Sequence, residues 1–233
     1  MIENIKRVSV GIPGFDSLIE GGFKKDSINL VAGSAGSGKT IFAMHFLVDG
    51  LEKNEACLYI TFEGKKKKIY EDMSEFGWDL EKYEKKEKFV VMEYTPEQVK
   101  KVLVEGGGTI EAIIEQHKIK RLVIDSITSF ALLYQDELTK KESALALFEL
   151  INNWNCTALL TSQATYSDRG EISAALDFEV DGIIYLYHIK KGGLRKRGIE
   201  IIKMRGTKIP EKTFSLDITS KGIRINTKEV VAI

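Results

Sequence analysis

The chain has 233 residues, its 34 lysines and arginines are balanced by 34 aspartates and glutamates, and 43% of its residues are hydrophobic. A balanced charge gives no long-range attraction to nucleic acid or to an anionic membrane surface. No segment approaches the ~18 uninterrupted apolar residues of a membrane helix, and the first residues lack the apolar core of a signal peptide. We therefore expect a cytoplasmic protein with a single domain over residues 1–233.

Apolar segments of strand length alternate with segments of helical spacing along the first two-thirds of the chain. The strand-like segments are almost continuously apolar, which is typical of a mainly parallel sheet covered by helices on both faces. The predicted strands are SINLVAG, CLYITFE, KFVVMEY, KRLVIDS and CTALLTSQ. The predicted helices between them are TIFAMHFLVDGLEK, KKIYEDMSEFGW, EAIIEQH and ESALALFELINNW. The sequence therefore predicts an α/β fold.

The pattern changes from Asp181 onward. DGIIYLYHI, RGIEIIKMRG and TFSLDIT follow one another without intervening helices, and a turn with two glycines, KKGGL, separates the first two. Consecutive strands with short turns indicate antiparallel hairpins. We expect these C-terminal strands at one edge of the sheet.

The segment GSAGSGKT at residues 33–40 matches the phosphate-loop pattern G-x-x-x-x-G-K-[ST] in full. It follows the strand-like INLVA and precedes the helical IFAMHFLVDG, which is the context that a true phosphate loop requires. Its glycines would let backbone N–H groups turn towards an anion, and the following helix adds its positive end. The predicted phosphate-binding residues are Gly33, Ser34, Ala35, Gly36, Ser37, Gly38, Lys39, Thr40 and Ile41.

Four residues have more specific roles in such a site. The Lys39 amine would reach the β- and γ-phosphates, and the Thr40 hydroxyl would bind Mg²⁺. Asp125, at the end of the apolar RLVID, is the expected carboxylate partner of the metal. Glu63, at the end of CLYITFE, either orients an attacking water or complements the dipole of a following helix, and its position in the sequence leaves both interpretations open.

Two cations interrupt an otherwise apolar strand pattern in EIIKMRG at residues 200–206. Lys203 and Arg205 are two positions apart, so on a regular strand their side chains would leave from the same face. On an edge hairpin of a monomer both side chains could simply be solvated. The strand pattern alone does not identify what they face.

In this order and spacing, the motifs resemble those of the KaiC-like ATPases of the RecA superfamily, which are widespread in archaea. The similarity covers nearly the whole chain and includes GIPGFDSLIEGG, GSAGSGKT, YITFE, RLVIDSITS, LLTSQ, DGIIYL, IIKMRGT and FSLDITSKGIRI. It implies a RecA-like P-loop NTPase core that binds ATP with Mg²⁺ and hydrolyses it. It also implies a homo-oligomeric ring or filament, with a hexamer favoured and nucleotide sites between subunits.

The resemblance assigns roles to individual residues. Glu63 would face the attacking water, and Asp125 would be the metal-shell aspartate. Gln163 would sense the γ-phosphate from the tip of a central strand. Lys203 and Arg205 would cross a subunit boundary and act in trans on the γ-phosphate of the neighbouring site.

The chain departs from the family pattern in two places. Many KaiC-like proteins carry two adjacent glutamates where this chain has Glu63 followed by Gly64, so we expect slow hydrolysis. The two-domain clock protein carries a phosphorylated Ser-Thr pair where this chain reads LDFEV, with Asp177 and Phe178 near the hydroxyl positions. Autokinase activity is therefore not expected.

Two alternatives to the ATPase hypothesis remain open. Recombinases share this core, and the basic HIKKGGLRKR at residues 188–197 keeps a DNA-associated function open, although residues 164–180 carry four acidic residues against one arginine. Such a loop would repel a phosphate backbone. The second alternative is a regulatory scaffold that binds ATP with little turnover, which the absent second glutamate permits.

Overall fold

Strands and helices alternate up to residue 163, as the apolar pattern predicts. The computed structural model describes residues 5–62, 64–95, 97–98, 108–131, 133–134, 136–163 and 180–232. Its strands are β1 (Arg7–Val8), β2 (Phe23–Lys24), β3 (Ile28–Gly33), β4 (Ala56–Thr61), β5 (Phe89–Glu93), β6 (Ile119–Asp125), β7 (Thr157–Gln163), β8 (Gly182–Lys191), β9 (Leu194–Met204), β10 (Phe214–Thr219) and β11 (Gly222–Val230). Its α-helices are α1 (Lys39–Glu52), α2 (Lys66–Ser74), α3 (Leu80–Glu84), α4 (Gly108–His117), α5 (Ile127–Ala131) and α6 (Glu137–Asn153), and a 3₁₀ helix spans Asp16–Ile19.

The main sheet has the strand order β11-β10-β9-β8-β3-β7-β6-β4-β5. Strands β3 to β8 pair in parallel, and β8 to β11 pair as antiparallel neighbours. Both β3 and β4 are buried along their whole length, because helices cover both faces of the sheet. The α/β prediction and the antiparallel C-terminal edge are confirmed.

Apolar side chains pack on each face of the sheet. On one face, Phe42 and Phe46 of α1 pack with Phe15 and Phe23 of the N-terminal segment, and all four are fully buried. On the other face, α4 and α6 contribute a second cluster that includes Phe148. Since the carboxyl ends of parallel strands lie at one edge, this arrangement brings the last residues of β3, β4, β6 and β7 together.

One predicted helix is shorter than expected. The spacing over residues 67–78 predicts a single helix, but α2 ends at Ser74 and a turn follows. Gly77 adopts φ +79° in that turn, a left-handed conformation that ends regular helix. None of the helices in the described part of the chain is long and apolar enough to cross a membrane.

His45 links α1 to β11. Its Nε2 accepts a hydrogen bond of 2.7 Å from the backbone N–H of Ile223, and its ring packs edge-to-face on Trp78. Burial of the ring lowers the pKa of His45 from 6.5 to about 4. The neutral imidazole is therefore the form that stabilises the fold.

We expect the chain to lose about 2 kcal/mol of unfolding free energy between pH 7 and pH 5 through this histidine. The folded-state pKa lies below the unfolded one, so the unfolded chain binds the additional proton and stability falls as the pH drops from 6.5 towards 4. Urea unfolding at the two pH values measures the loss. The variant His45→Gln should be less stable at pH 7 but should lose this part of the pH dependence. An identical pH dependence in the two proteins would rule the explanation out.

Candidate functional site

The segment 33–40 leads from the end of β3 into the first turn of α1. Gly36 adopts φ +73° and Gly38 adopts φ +103°, a left-handed backbone conformation that residues with a Cβ rarely adopt. A Cβ atom on Gly33 would lie 2.4 Å from the carbonyl oxygen of Leu186. The three glycines of the motif are therefore required by the backbone of the loop and by the strand beside it.

The loop contains chemical groups that fit an anion. Lys39 Nζ donates to the carbonyl oxygens of Gly33 and Ser34, at 2.9 and 3.0 Å. Ser37 is fully buried, and its Oγ has no hydrogen-bond partner within the described residues. An unpartnered buried hydroxyl is unusual in a folded protein, and a phosphate oxygen would satisfy it. Together with the positive end of α1, these groups make the loop suited to phosphate.

Asp125 accepts hydrogen bonds from three hydroxyl groups. Thr40 Oγ1 and Tyr59 Oη both donate to Oδ2 at 2.8 Å, and Thr161 Oγ1 donates to Oδ1. The predicted pair of Thr40 and Asp125 is thus brought together. The Thr40 hydroxyl oxygen and the Asp125 carboxylate are the kind of ligand that Mg²⁺ prefers.

The described residues contain no cluster of three or more histidine, cysteine or acidic side chains that could hold a metal ion. Two protein oxygens nevertheless suffice for Mg²⁺ beside a nucleotide, because phosphate oxygens and waters complete its shell. Tyr59 and Thr161 were missed by sequence reasoning. Tyr59 lies between Leu58 and Ile60, Thr161 lies between Leu160 and Ser162, and both are buried in their strands. Only their position beside Asp125 in the folded chain reveals their polar contact.

The other predicted residues of this edge are only partly described. Gln163 pairs with Gly33 in the parallel β3–β7 ladder, so it lies beside the start of the phosphate loop. Its backbone N–H donates to Thr128 Oγ1 at 2.7 Å. Glu63 lies outside the described residues, although the backbone N–H of the preceding Phe62 donates to the carbonyl oxygen of Asp125 at 3.1 Å. Asp177 and Phe178, like all of residues 164–179, also lie outside the described residues.

The hairpin of β8 and β9 brings two further residues to the loop. Arg197 Nε donates to the carbonyl oxygen of Gly36 at 3.2 Å, and His188 Nδ1 lies 3.4 Å from the carbonyl oxygen of Ala35. His188 and Arg197 face each other across the hairpin. Sequence reasoning placed both in a basic segment of undetermined function, because their register with β3 depends on strand pairing.

Lys203 lies near the end of β9, and the expectation that Lys203 and Arg205 share a strand face stays a prediction. Strand β9 ends at Met204, and Arg205 lies in the following turn. The ladder with β8 also shifts, since Ile183 pairs with Lys203 while Ile184 pairs with Ile201, so Ile202 is an additional residue without a counterpart. The bulge precedes Lys203 and therefore does not come between the two cations.

Both cations lie at the end of the sheet that is remote from the phosphate loop. Lys203 pairs with Ile183 in the β8–β9 ladder, and the backbone N–H of Arg205 donates to the carbonyl oxygen of Asp181 at 2.7 Å. The Arg205 guanidinium lies 3.6 Å from an Asp181 carboxylate oxygen. The second oxygen of Asp181 accepts a hydrogen bond from the backbone N–H of Ile28, the first residue of β3. The structure therefore separates this pair from the phosphate loop of its own chain.

Comparison with known proteins gives consistent matches. Residues 8–230 match the family model described as the KaiC ATPase. A UPF0273 protein of Thermotoga maritima is 32% identical over 242 residues, which cover 97% of this chain and 98% of the relative. The circadian clock protein KaiC3 of Synechocystis sp. is 31% identical over 228 residues, but the chain spans only 45% of its length. The crystal structure of a KaiC-like protein from Pyrococcus horikoshii superimposes with a TM-score of 0.85 at 34% identity, over 96% of this chain and 100% of that one.

Proposed function

The chain belongs to the KaiC family of ATPases, and from this premise we propose that it binds ATP with Mg²⁺ and hydrolyses it slowly in a homo-oligomeric ring or filament. A hexamer is favoured, with nucleotide sites at the subunit boundaries. The observation that carries the proposal is the location of Lys203 and Arg205 at the end of the sheet remote from their own phosphate loop.

The strand register gives the separation along the sheet. Lys203 pairs with Ile183 of β8, and Ile183 pairs with Leu30 of β3. The backbone N–H of Arg205 donates to Asp181, whose own N–H donates to Ile28. At about 3.3 Å per residue, Leu30 and Ile28 lie roughly 10 to 17 Å before Gly33, and the phosphates lie beyond it. Strand β8 also lies between β9 and β3, the strand that leads into the phosphate loop. The pair is therefore poorly placed to act on its own nucleotide, and a head-to-tail contact between subunits would bring it to a neighbour's site.

Each subunit would supply the phosphate-binding part of its own site. Lys39 would neutralise phosphate charge, and the Ser37 hydroxyl and the loop N–H groups would bind phosphate oxygens. Mg²⁺, held by Thr40 and Asp125, would supply further positive charge when bound. Because Tyr59 donates to the same oxygen of Asp125, it would orient that carboxylate.

Hydrolysis would use residues from two subunits. Glu63 would orient the attacking water and accept its proton. Gln163, beside Gly33, would contact the γ-phosphate. Lys203 and Arg205 of the neighbour would stabilise the charge that develops on the transferring group. The single glutamate at this position supports slow turnover.

The two alternatives differ in their support. A DNA-associated function is not favoured, because His188 and Arg197 of the basic segment contact the phosphate loop. A regulatory scaffold with little turnover is favoured by Gly64, which stands where relatives often have a second glutamate. If the protein assembles and binds ATP without hydrolysing it, the scaffold is the better description.

A subunit-mixing experiment tests the trans arrangement. Glu63→Gln should remove hydrolysis at the subunit's own site, and Arg205→Ala should remove it at the neighbour's site. Each variant alone should be nearly inactive. With random mixing in equal amounts, about one quarter of the sites combine an intact Glu63 with an intact neighbouring Arg205, so about one quarter of the wild-type turnover should return. Mass spectrometry of intact oligomers verifies mixing, and no recovery in verified mixtures would contradict the proposal.

A further inference from the structure

The turn after β9 rests against the N-terminal part of the chain. We call residues 205–208 the finger turn, since they include Arg205. Arg7 Nη1 donates to Thr207 Oγ1 at 2.8 Å, and the backbone N–H of Lys208 donates to Glu20 Oε1 at 3.2 Å. Arg7 and Glu20 form an ion pair of 2.7 Å with each other. One ion pair thus contacts two successive residues of the finger turn.

This ion pair is anchored in a packed segment. Besides Glu20 and the finger turn, Arg7 Nη1 donates to the carbonyl oxygen of Gly22 at 3.2 Å, and the Arg7 side chain is only 14% exposed. Glu20 follows the 3₁₀ helix in a left-handed conformation, with φ +57°. Phe15 and Ile19 bury this helix against the core. Because its side chains are already ordered, the pair can hold a fixed geometry better than a typical surface pair.

The ladder between β8 and β9 does not fix the direction of the finger turn by itself. The last pair of that ladder joins Met204 to Gly182, and Gly206, two residues further on, has φ +61°. A Cβ atom on Gly206 would lie 2.4 Å from Lys24 Nζ, so the N-terminal segment also packs closely against this residue. Asp181 holds the other side through the backbone and the guanidinium of Arg205. The turn is therefore held between Asp181 and the N-terminal segment.

We propose that Arg7 and Glu20 are positioning residues for the trans-acting pair, fixing the finger turn so that Lys203 and Arg205 meet the neighbour's phosphates. The inference rests on the proposed function. A displacement of about 1 Å in a catalytic group can cost on the order of 10²-fold in rate. Glu20 is half exposed, and its ion pair should contribute little to unfolding free energy. Loss of the pair should consequently affect kcat rather than stability.

The test compares Glu20→Ala with a matched control. Glu20→Ala is expected to lower kcat by about 10- to 100-fold, with an unchanged Kd for ATP and an unchanged melting temperature. Glu20→Gln retains an oxygen acceptor for the Lys208 N–H and should recover part of kcat. The control Lys25→Ala removes the ion pair of Lys25 with Asp26, in which Lys25 is half exposed like Glu20, and should leave kcat unchanged.

Mixing with Glu63→Gln subunits shows where the defect acts. The Glu63→Gln subunits carry an intact finger turn, so mixtures with Glu20→Ala should regain turnover, as mixtures with Arg205→Ala do. If Glu20→Ala retains wild-type kcat while Arg205→Ala loses it, the positioning role is wrong and the trans pair stands. If Glu20→Ala lowers kcat but mixing gives no recovery, its defect is not in the finger and the inference is likewise overturned. If the Arg205→Ala mixtures fail to recover, the proposed function fails as well.

Discussion

Replacing Arg205 with alanine is expected to lower kcat by about 10³-fold or more while the Kd for ATP changes less than tenfold. An arginine that meets the γ-phosphate across a boundary stabilises charge that is largest in the transition state, so its loss affects the rate more than binding. In the folded chain, Arg205 is half exposed and lies 3.6 Å from Asp181. Removing such a pair should cost little unfolding free energy, so the lower rate would not reflect unfolding.

Steady-state turnover and ATP titration on assembled protein measure the two quantities. Arg205→Lys keeps the charge but not the forked guanidinium, and its rate should lie between those of the wild type and Arg205→Ala. Arg224→Ala is the matched control, because Arg224 is an exposed arginine on β11 that pairs in register with Asp217. A loss in kcat below tenfold for Arg205→Ala would remove the basis for the trans role.

Replacing Arg121 with methionine is expected to lower the free energy of unfolding by about 3 to 5 kcal/mol. Arg121 is 1% exposed and pairs with Asp49 at 2.9 Å and with Glu55 at 2.5 Å. It also donates to the carbonyl oxygens of Ser9 and Phe46, at 2.8 and 2.7 Å. One side chain thus joins the N-terminal segment to α1 and to the residue before β4.

The variant would remove the buried one of the two cations beside Asp49, since the half-exposed Lys53 also pairs with it at 2.9 Å. Burial by itself would raise the pKa of Asp49, but hydrogen bonds from Ser9 and Lys53 and the charge of Arg121 outweigh it and lower that pKa. Asp49 therefore remains ionised in the variant, but only Lys53 is left to balance its charge. Urea unfolding measures the loss, and the melting temperature should fall by about 10 °C. Lys120→Met, at the exposed neighbouring position of β6, should change stability little. Equal stability of the two variants would contradict the prediction.

The loop of residues 33–40 could be predicted from the sequence because its geometry is local. Gly33 to Thr40 are consecutive, and their glycines are required by the backbone of one loop. Asp125 could be assigned because it ends a buried strand in a chain that already contains a phosphate loop. Its hydroxyl partners Tyr59 and Thr161 could not, since they reach it only through the order of β4, β6 and β7 in the sheet.

The geometry around Arg205 could not be predicted for a similar reason. The sequence indicates neither that β9 ends at Met204 nor that its ladder with β8 has a bulge at Ile202, because both features depend on how β9 pairs with β8. Arg7 and Thr207 are 200 positions apart, and Glu20 and Lys208 are 188 positions apart. No local pattern connects residues at such separations, so these contacts became visible only in the folded chain.

We propose that each nucleotide site is completed by the neighbouring subunit. Steady-state ATP hydrolysis of the wild type over a range of protein concentrations tests this arrangement, with oligomer mass followed in the same samples. The proposed arrangement predicts that turnover per subunit rises in step with the assembled fraction and approaches zero for the monomer. Constant turnover per subunit across the range in which monomers assemble would contradict it, because a monomer would then contain a complete site.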